Sequence, residues 1–352
     1  MLAFSVLSLI LPLLWTTFVA GWPLLWNRES PSVCNGRPEL CRRRYSNITF
    51  IGAHNSYAFS EDPLALSRNQ RINVSQQLDL GVRLLQAQAH VDDGELHFCH
   101  TIFLGCSLLD GGTVEDYLKI VKSFLDAHPT EVLTLIFTNP EEQSVKDVWE
   151  PIFDKVGLDS MAFVPDNVPL RYDEWPTLGE MINAGKRLVV FLDSGANTTE
   201  VPFILPQFEM VTVIALLLGL THEAVQRPLL PMDHLYMINH SLNTNVFPIP
   251  GGAGVIVPNV FEAETTNGVK SIMDNVRGCA PFAMDKNPNF ILLDWVDEGE
   301  AFLAADQLNG FTSPSQSAPA TGGETNNAPA RSRHGPWLAI LTLGFGVLAL
   351  GS

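Results

Sequence analysis

Residues 132–138 read VLTLIFT, an uninterrupted apolar run of strand length. A strand without polar alternation is one buried on both faces, the condition of a parallel sheet covered by helices. The neighbouring chain supplies such helices. Residues 113–127 carry Tyr117, Leu118, Val121, Phe124 and Leu125 at helical spacing. Residues 144–156 and 177–184 follow with helical patterns of their own. Further strands are predicted at 48–53, 83–89, 95–99, 187–192, 235–238 and 290–293. No internal repeat is visible between residues 34 and 310, so the alternation belongs to one domain. It predicts an α/β fold, best matched by a (β/α) barrel. A doubly wound sheet is the alternative, but no glycine-rich phosphate loop follows the first strand.

The composition narrows the function. The 352-residue chain is 46% hydrophobic and 17% charged, which suits a large buried core and not general disorder. Lys and Arg total 21 against 38 Asp and Glu, a formal net charge of −17. Phosphate backbones are held through clustered Lys and Arg, so no nucleic-acid partner is expected.

Both ends look like processing signals. Residues 1–21 hold an uncharged apolar stretch and the small residues Val19, Ala20 and Gly21, the pattern of a secretory signal peptide. A short uncleaved anchor is the alternative, because the first residues carry no Lys or Arg. Residues 311–336 form a Ser/Pro/Thr-rich linker that cannot pack. The tail, 337–352, contains 14 consecutive uncharged residues, fewer than the roughly 20 of a spanning helix. Small residues, a polar spacer and a terminal apolar tail make a GPI-attachment signal. Asn326 is the expected attachment residue, with Asn327, Gly322 and Gly323 as alternatives, and a tail-anchor helix as the competing reading. The expected location is the outer face of the plasma membrane or the cell wall. Cys34 with Cys41 and Cys99 with Cys106 are expected as two short-loop disulfides, leaving Cys279 over. Asn47, Asn73, Asn197 and Asn239 head glycosylation sequons.

In barrels the chemistry sits just past the C-terminal ends of the strands. Those positions hold His54 and Asn55, then Gln86, Gln88 and His90, then His97 and His100. Thr138 and Asn139, Asp193, Asn239 and His240, and finally Asp294 complete the set. Two histidines and an aspartate on separate strand ends point to acid–base work. Asn55, Gln86, Gln88, Asn139 and Asn239 are the candidate substrate-binding residues. Period-two alternation puts Gln86 and Gln88 on one face and Arg83 on the other. His97 and His100, three apart, cannot both point inward in a regular strand. No HxH or HExxH spacing appears and the cysteines pair, so no metal site is expected.

Five segments carry a resemblance: GAHNSY (52–57), LDLGVRLLQAQAH (78–90), LHFCHT (96–101), PTEVLTLIFTN (129–139) and EWPTLGEM (174–181). In this order they resemble the phosphatidylinositol-specific phospholipase C X-domain family, above all its secreted fungal and plant branch. The resemblance runs from about residue 34 to residue 309. It implies a distorted TIM barrel and phosphodiester chemistry without a cofactor. A hydroxyl deprotonated by one histidine attacks the adjacent phosphorus, and a second histidine protonates the leaving oxygen. By position His54 matches the base, His100 the acid and Asp294 the carboxylate that orients the base. The substrate implied is a phospholipid or a glycerophosphodiester.

The chain also departs from the family. Bacterial members carry an Asp and an Arg where Gln86 and Gln88 stand. Calcium-dependent members carry acids there and at Thr138. Asn55 alone survives of that calcium shell, and one neutral ligand does not hold Ca²⁺. Lys186 and Arg187 are cations a neighbouring loop offers to the phosphate. Residues 210–220, MVTVIALLLGL, stand where secreted relatives have a polar loop with a cysteine. They read either as a buried helix or as a misread exon boundary. The leading functional reading is a GPI-anchored extracellular phosphodiesterase, metal-independent. The alternative is a catalytically silent barrel serving as a cell-surface or wall-binding module.

Overall fold

A computed structural model describes residues 31–62, 65–100, 106, 108–214, 234–247 and 255–311. The expected signal segment, the linker beyond 311, the GPI tail with Asn326, and residues 215–220 lie outside the described residues. Among the described residues there are twelve strands: β1 Phe50–Ala53, β2 Leu84–Asp92, β3 Glu95–His100, β4 Leu109–Thr113, β5 Leu133–Thr138, β6 Leu188–Leu192, β7 Ile204–Pro206, β8 Val211–Ile214, β9 Leu235–Asn239, β10 Asn243–Phe247, β11 Val255–Pro258 and β12 Phe290–Leu293. Eight of them form one curled parallel sheet in the order β7-β6-β5-β2-β1-β12-β9-β8. β2 runs on past the sheet and pairs antiparallel with β3, which pairs with β4, so a three-stranded ribbon stands beside the barrel. β10 and β11 make a separate hairpin.

Alternation divides the sheet into two faces. Phe50, Leu84, Ile136, Val189, Phe191, Leu235, Met237, Phe290 and Leu292 pack inward with Tyr45 and Trp175. The residues between them, such as Ile51, Leu85, Leu135, Val190, Ile238 and Ile291, pack outward under the helices. Helix α1 (Val74–Leu80) starts at the capping box of Asn73 and Gln76. Helix α2 (Val114–Ala127) is capped by the Thr113 hydroxyl and buries the five apolar residues whose spacing predicted it. Gly52 faces Leu84, and a Cβ there would come within 2.7 Å of the leucine side chain. Glycine therefore lets β1 and β2 close up, bringing the loop after β1 against the end of β2.

Two readings need correction. Residues 144–156 are not one regular helix. A π-type turn, Val145–Trp149, leads into helix α3, Glu150–Val156. Pro151 sits in the first turn of α3 and has no N–H to continue the upstream bonding. The apolar run from 210 does not open as a buried helix: Val211–Ile214 is a parallel edge strand on β9. Val211 and Val213 pack with the inward core, a covered face that periodicity alone does not separate from a helix. β7 has only three residues and left no sequence signal of its own.

Candidate active site

The inward face continues past the strand ends. His54 follows Phe50 and Gly52 in the inward phase, and Asp294 follows Phe290 and Leu292. Gln86, Gln88 and His90 follow Leu84. His54 Nδ1 lies 2.8 Å from Asp294 Oδ1. A carboxylate accepts, so Nδ1 carries the proton and Nε2 presents its lone pair, the tautomer a general base needs. Asp294 is 4% exposed in its side chain, His54 21%. Asn69 Nδ2 donates to the same Asp294 oxygen at 2.7 Å. Gln70 Nε2 donates to the backbone oxygens of His54 and Leu293, and its Oε1 accepts from Val296 N–H. Asn55 and Trp295, the residues after His54 and Asp294, both take left-handed backbone conformations, φ 41° and 54°. For a tryptophan that costs about 1–3 kcal/mol, and the surrounding bonds hold it there.

His100 closes β3. Its Nδ1 donates to the Ser67 carbonyl at 2.8 Å, and its Nε2 has no hydrogen-bond partner among the described residues. Burial pushes its pKa below the ordinary histidine value, although the Ser67 carbonyl works the other way. The charges of His54 and His90 add to the depression and that of Asp294 opposes it. His54, Asp294, His90 and His100 thus share one electrostatic neighbourhood. His97 leaves it: Nδ1 meets Asp110 Oδ1 at 3.1 Å on the outer ribbon.

The candidate binding residues divide. Asn55 N–H donates to Gln86 Oε1 at 2.8 Å, so Gln86 is committed to the loop after β1. Gln88 has no hydrogen-bond partner among the described residues. Asn239 is half-buried at the end of β9, with Oδ1 taken by Ser241. Asn139 points elsewhere: its N–H donates to Asp193 Oδ1, its Nδ2 to the Gln143 and Ser194 carbonyls, and its Oδ1 accepts from Gln143 N–H. That set spends its side chain on tying the loop after β5 to the loop after β6. Gln86, Gln88 and Thr138 bring no carboxylate, and Gln86 oxygen is already occupied, so the residues do not fit a calcium shell.

The expected cations sit at the other end of the barrel. Arg83 Nε pairs with Glu131 at 2.7 Å. Arg187 donates to the Leu125, His128 and Glu131 carbonyls, and Lys186 to Ser160. Both lie where β6 begins, not where it ends, so neither reaches the site. The polar group that sequence reasoning noticed without assigning is His90, whose Nδ1 meets Glu141 Oε1 at 2.7 Å. The segment it missed is 67–70, where Ser67, Asn69 and Gln70 each touch one member of the acid–base set. A loop has no period to reveal this.

Both expected disulfides form, Cys34–Cys41 and Cys99–Cys106, the second immediately before His100. Cys279 is free and buried, with its thiol pKa pushed up to about 11 by burial. Asn47, Asn73 and Asn197 are exposed.

A PI-PLC X domain-containing protein of Arthroderma benhamiae is 40% identical over 291 residues, covering 79% of this chain and 90% of that protein. A second protein of that fungus, described as an uncharacterized secreted protein, is 36% identical over 292 residues, covering 79% of this chain and 64% of that one. Among solved structures, a variant of the phosphatidylinositol-specific phospholipase C from Staphylococcus aureus superposes with TM-score 0.52 at 14% identity, over 80% of this chain and 98% of that one. That likeness shows the shared barrel fold. The family model for PI-PLC X matches residues 40–309, and with the fungal relative it establishes that the chain belongs to the PI-PLC X domain family.

Proposed function

We propose that the protein is an extracellular phosphoric diester hydrolase of the phospholipase C type, acting on a phosphoinositide-like or glycerophosphodiester substrate. The observation that carries this reading is the His54–Asp294 pair, 2.8 Å apart, in the same electrostatic neighbourhood as His100. His54 Nε2 takes the proton of a hydroxyl next to the phosphodiester. That oxygen bonds to phosphorus, the P–O bond to the leaving group breaks, and the leaving oxygen takes the proton from His100 Nε2. Asp294 stabilises the His54 imidazolium formed on the way, and Asn69 fixes the Asp294 oxygen that does so.

The phosphate still needs positive charge. His90 is two residues past Gln88 on the inward phase of β2, with Nδ1 on Glu141. In its doubly protonated form His90 donates through Nε2 to a phosphoryl oxygen while Glu141 balances the ring. Gln88 adds a neutral donor.

Signal, linker and tail patterns support delivery to the outer face of the plasma membrane or cell wall on a GPI anchor. Asn47, Asn73 and Asn197, all at the surface, are the positions assigned to N-glycans. The second reading, a silent barrel, has one observation behind it: Gln86 is spent on the loop after β1. Purified secreted protein assayed on phosphatidylinositol, GPI and glycerophosphodiesters, with and without EDTA, decides. EDTA-insensitive turnover is expected, and no turnover on any of the three leaves the silent barrel.

A further inference from the structure

We propose that Asp92, His97 and Asp110 form a binding site for one divalent ion of the zinc class, on the ribbon outside the barrel. The three residues come from three strands, β2, β3 and β4, and one donor atom from each lies within 4.8 Å of the others. Zinc takes imidazole nitrogen at about 2.0–2.1 Å and carboxylate oxygen at about 2.0–2.2 Å. Small side-chain rotations close the present spacing onto such an ion. One imidazole with two carboxylates is a donor set for zinc and its first-row neighbours; calcium asks for 6–8 oxygens.

Some surface acids are neutralised by a neighbouring cation and these two are not. Asp116, Asp126 and Asp274 each have a lysine or arginine within salt-bridge distance. Asp92 has neither hydrogen bond nor ion pair among the described residues. Asp110 has no Lys or Arg partner, only His97 Nδ1 at 3.1 Å and the Gly112 N–H at 2.8 Å. Two carboxylates therefore face one imidazole with a net negative charge between them that a divalent cation would neutralise. The ribbon holds them in place. Asp93 and Gly94, both in the left-handed region, turn β2 into β3, and His90↔His97 and Asp92↔Glu95 are in register. The Cys99–Cys106 disulfide ties β3 to the chain approaching β4. Cys106 sulfur also borders the group, but in a disulfide it offers no thiolate.

The site is independent of the proposed reaction and is tested without an activity assay. Secreted protein with intact disulfides is dialysed to equilibrium against Zn²⁺, and in parallel against Ca²⁺. One Zn²⁺ per chain and no comparable Ca²⁺ uptake are expected. His97→Ala should abolish binding. Asp92→Asn and Asp110→Asn should each weaken it by at least the 10–100-fold that outer-shell changes already cost. His54→Ala should bind as the native chain does. Circular dichroism checks each variant; if His97→Ala does not fold, Asp92→Asn, which loses no hydrogen bond, carries the test. Absence of Zn²⁺ uptake by the native protein overturns the site. So does binding that survives the Asp92 and Asp110 substitutions, or that disappears in His54→Ala.

Discussion

The two ends of the barrel are built on opposite terms. At the floor, where strands begin, Tyr45 stacks on Trp175 at 4.7 Å and shares a 2.6 Å hydrogen bond with Thr134. Arg83 is held by Glu131 and by the Leu78 and Val82 carbonyls, and Arg187 by three carbonyls. Asn289 ties Tyr236 N–H to the backbone of Ser46. At the mouth, Asp294 Oδ2, Asn55 Oδ1 and Tyr57 Oη are buried without a hydrogen-bond partner among the described residues. Two residues there also hold left-handed backbone next to the acid–base pair. Arg83 and Arg187 close the floor, whereas at the mouth the acid–base pair itself is held by an imidazole and amides, with Arg68 placed over the Trp295 ring. Unsatisfied buried polar atoms are not confined to the mouth, since Trp175 Nε1 at the floor is another among the described residues.

The contrast breaks most visibly in activity. His54→Ala and His100→Ala should each lower turnover by about 10²–10⁴-fold, since neither water nor a neighbour replaces a positioned base or acid. Urea midpoints should move little for His54→Ala. At the floor the order reverses. Trp175→Ala should cost about 3–5 kcal/mol of stability through a cavity between Tyr45 and Phe163, while the folded fraction keeps its kcat. Should Trp175→Ala abolish kcat in folded protein, the two ends are not separable.

His90 sharpens the comparison at the mouth. If it supplies the charge the floor arginines cannot, His90→Ala should cost about 10²–10³-fold in kcat, the range for loss of one transition-state donor. Glu141→Gln should fall short of that, because the ring stays. A second readout separates His90 from a merely structural residue. His100 must be protonated to act as the acid, so activity is lost as pH rises through its depressed pKa. Burial is the main cause of that depression and the His90 charge adds to it. Removing His90 should therefore shift the alkaline limb of kcat/KM upward. A limb that stays in place places His90 outside the site.

Most of the barrel was legible because its strands are continuous apolar runs, as 132–138 shows, and its helices carry clean spacing, as 113–127 shows. Strand alternation also put Gln86 and Gln88 on one face and Arg83 on the other, and separated His97 from His100. Illegible were contacts between segments without periodicity. Nothing in the sequence around Asn69 says that its amide meets Asp294, 225 residues away. Asn139 looked like a strand-end ligand, but its four bonds, two to Gln143 after β5 and one each to Asp193 and Ser194 after β6, depend on a backbone path no propensity encodes. The destination of Arg187 was hidden for the same reason: carbonyl acceptors leave no sequence mark.

The smallest expected effect lies behind the mouth, at His240. Its Nε2 lies 2.7 Å from the Thr266 carbonyl, and Nδ1 lies 2.6 Å from Asn275 Nδ2, which donates to it. A ring that accepts at Nδ1 must be neutral. Burial holds its pKa below the ordinary value of about 6.5 despite the bond to Thr266. In the unfolded chain His240 takes a proton as pH falls below about 6.5, while the folded chain resists. The contribution to stability is thus present above that pH and is lost as pH falls through the folded-state pKa, at no more than about 1.4 kcal/mol per pH unit for one group. His100 is shifted in the same direction and adds to the slope. Urea unfolding of native protein and His240→Asn at pH 7.5 and 5.5 measures the share of each. His240→Asn should be less stable at pH 7.5, because Thr266 and Asn275 lose their partner, by about 1–3 kcal/mol. Its deficit should shrink at pH 5.5, where the native chain has begun to lose what the variant never had. A deficit that is constant between the two pH values would mean that His240 carries its proton in the folded protein, and that Asn275 does not donate to it.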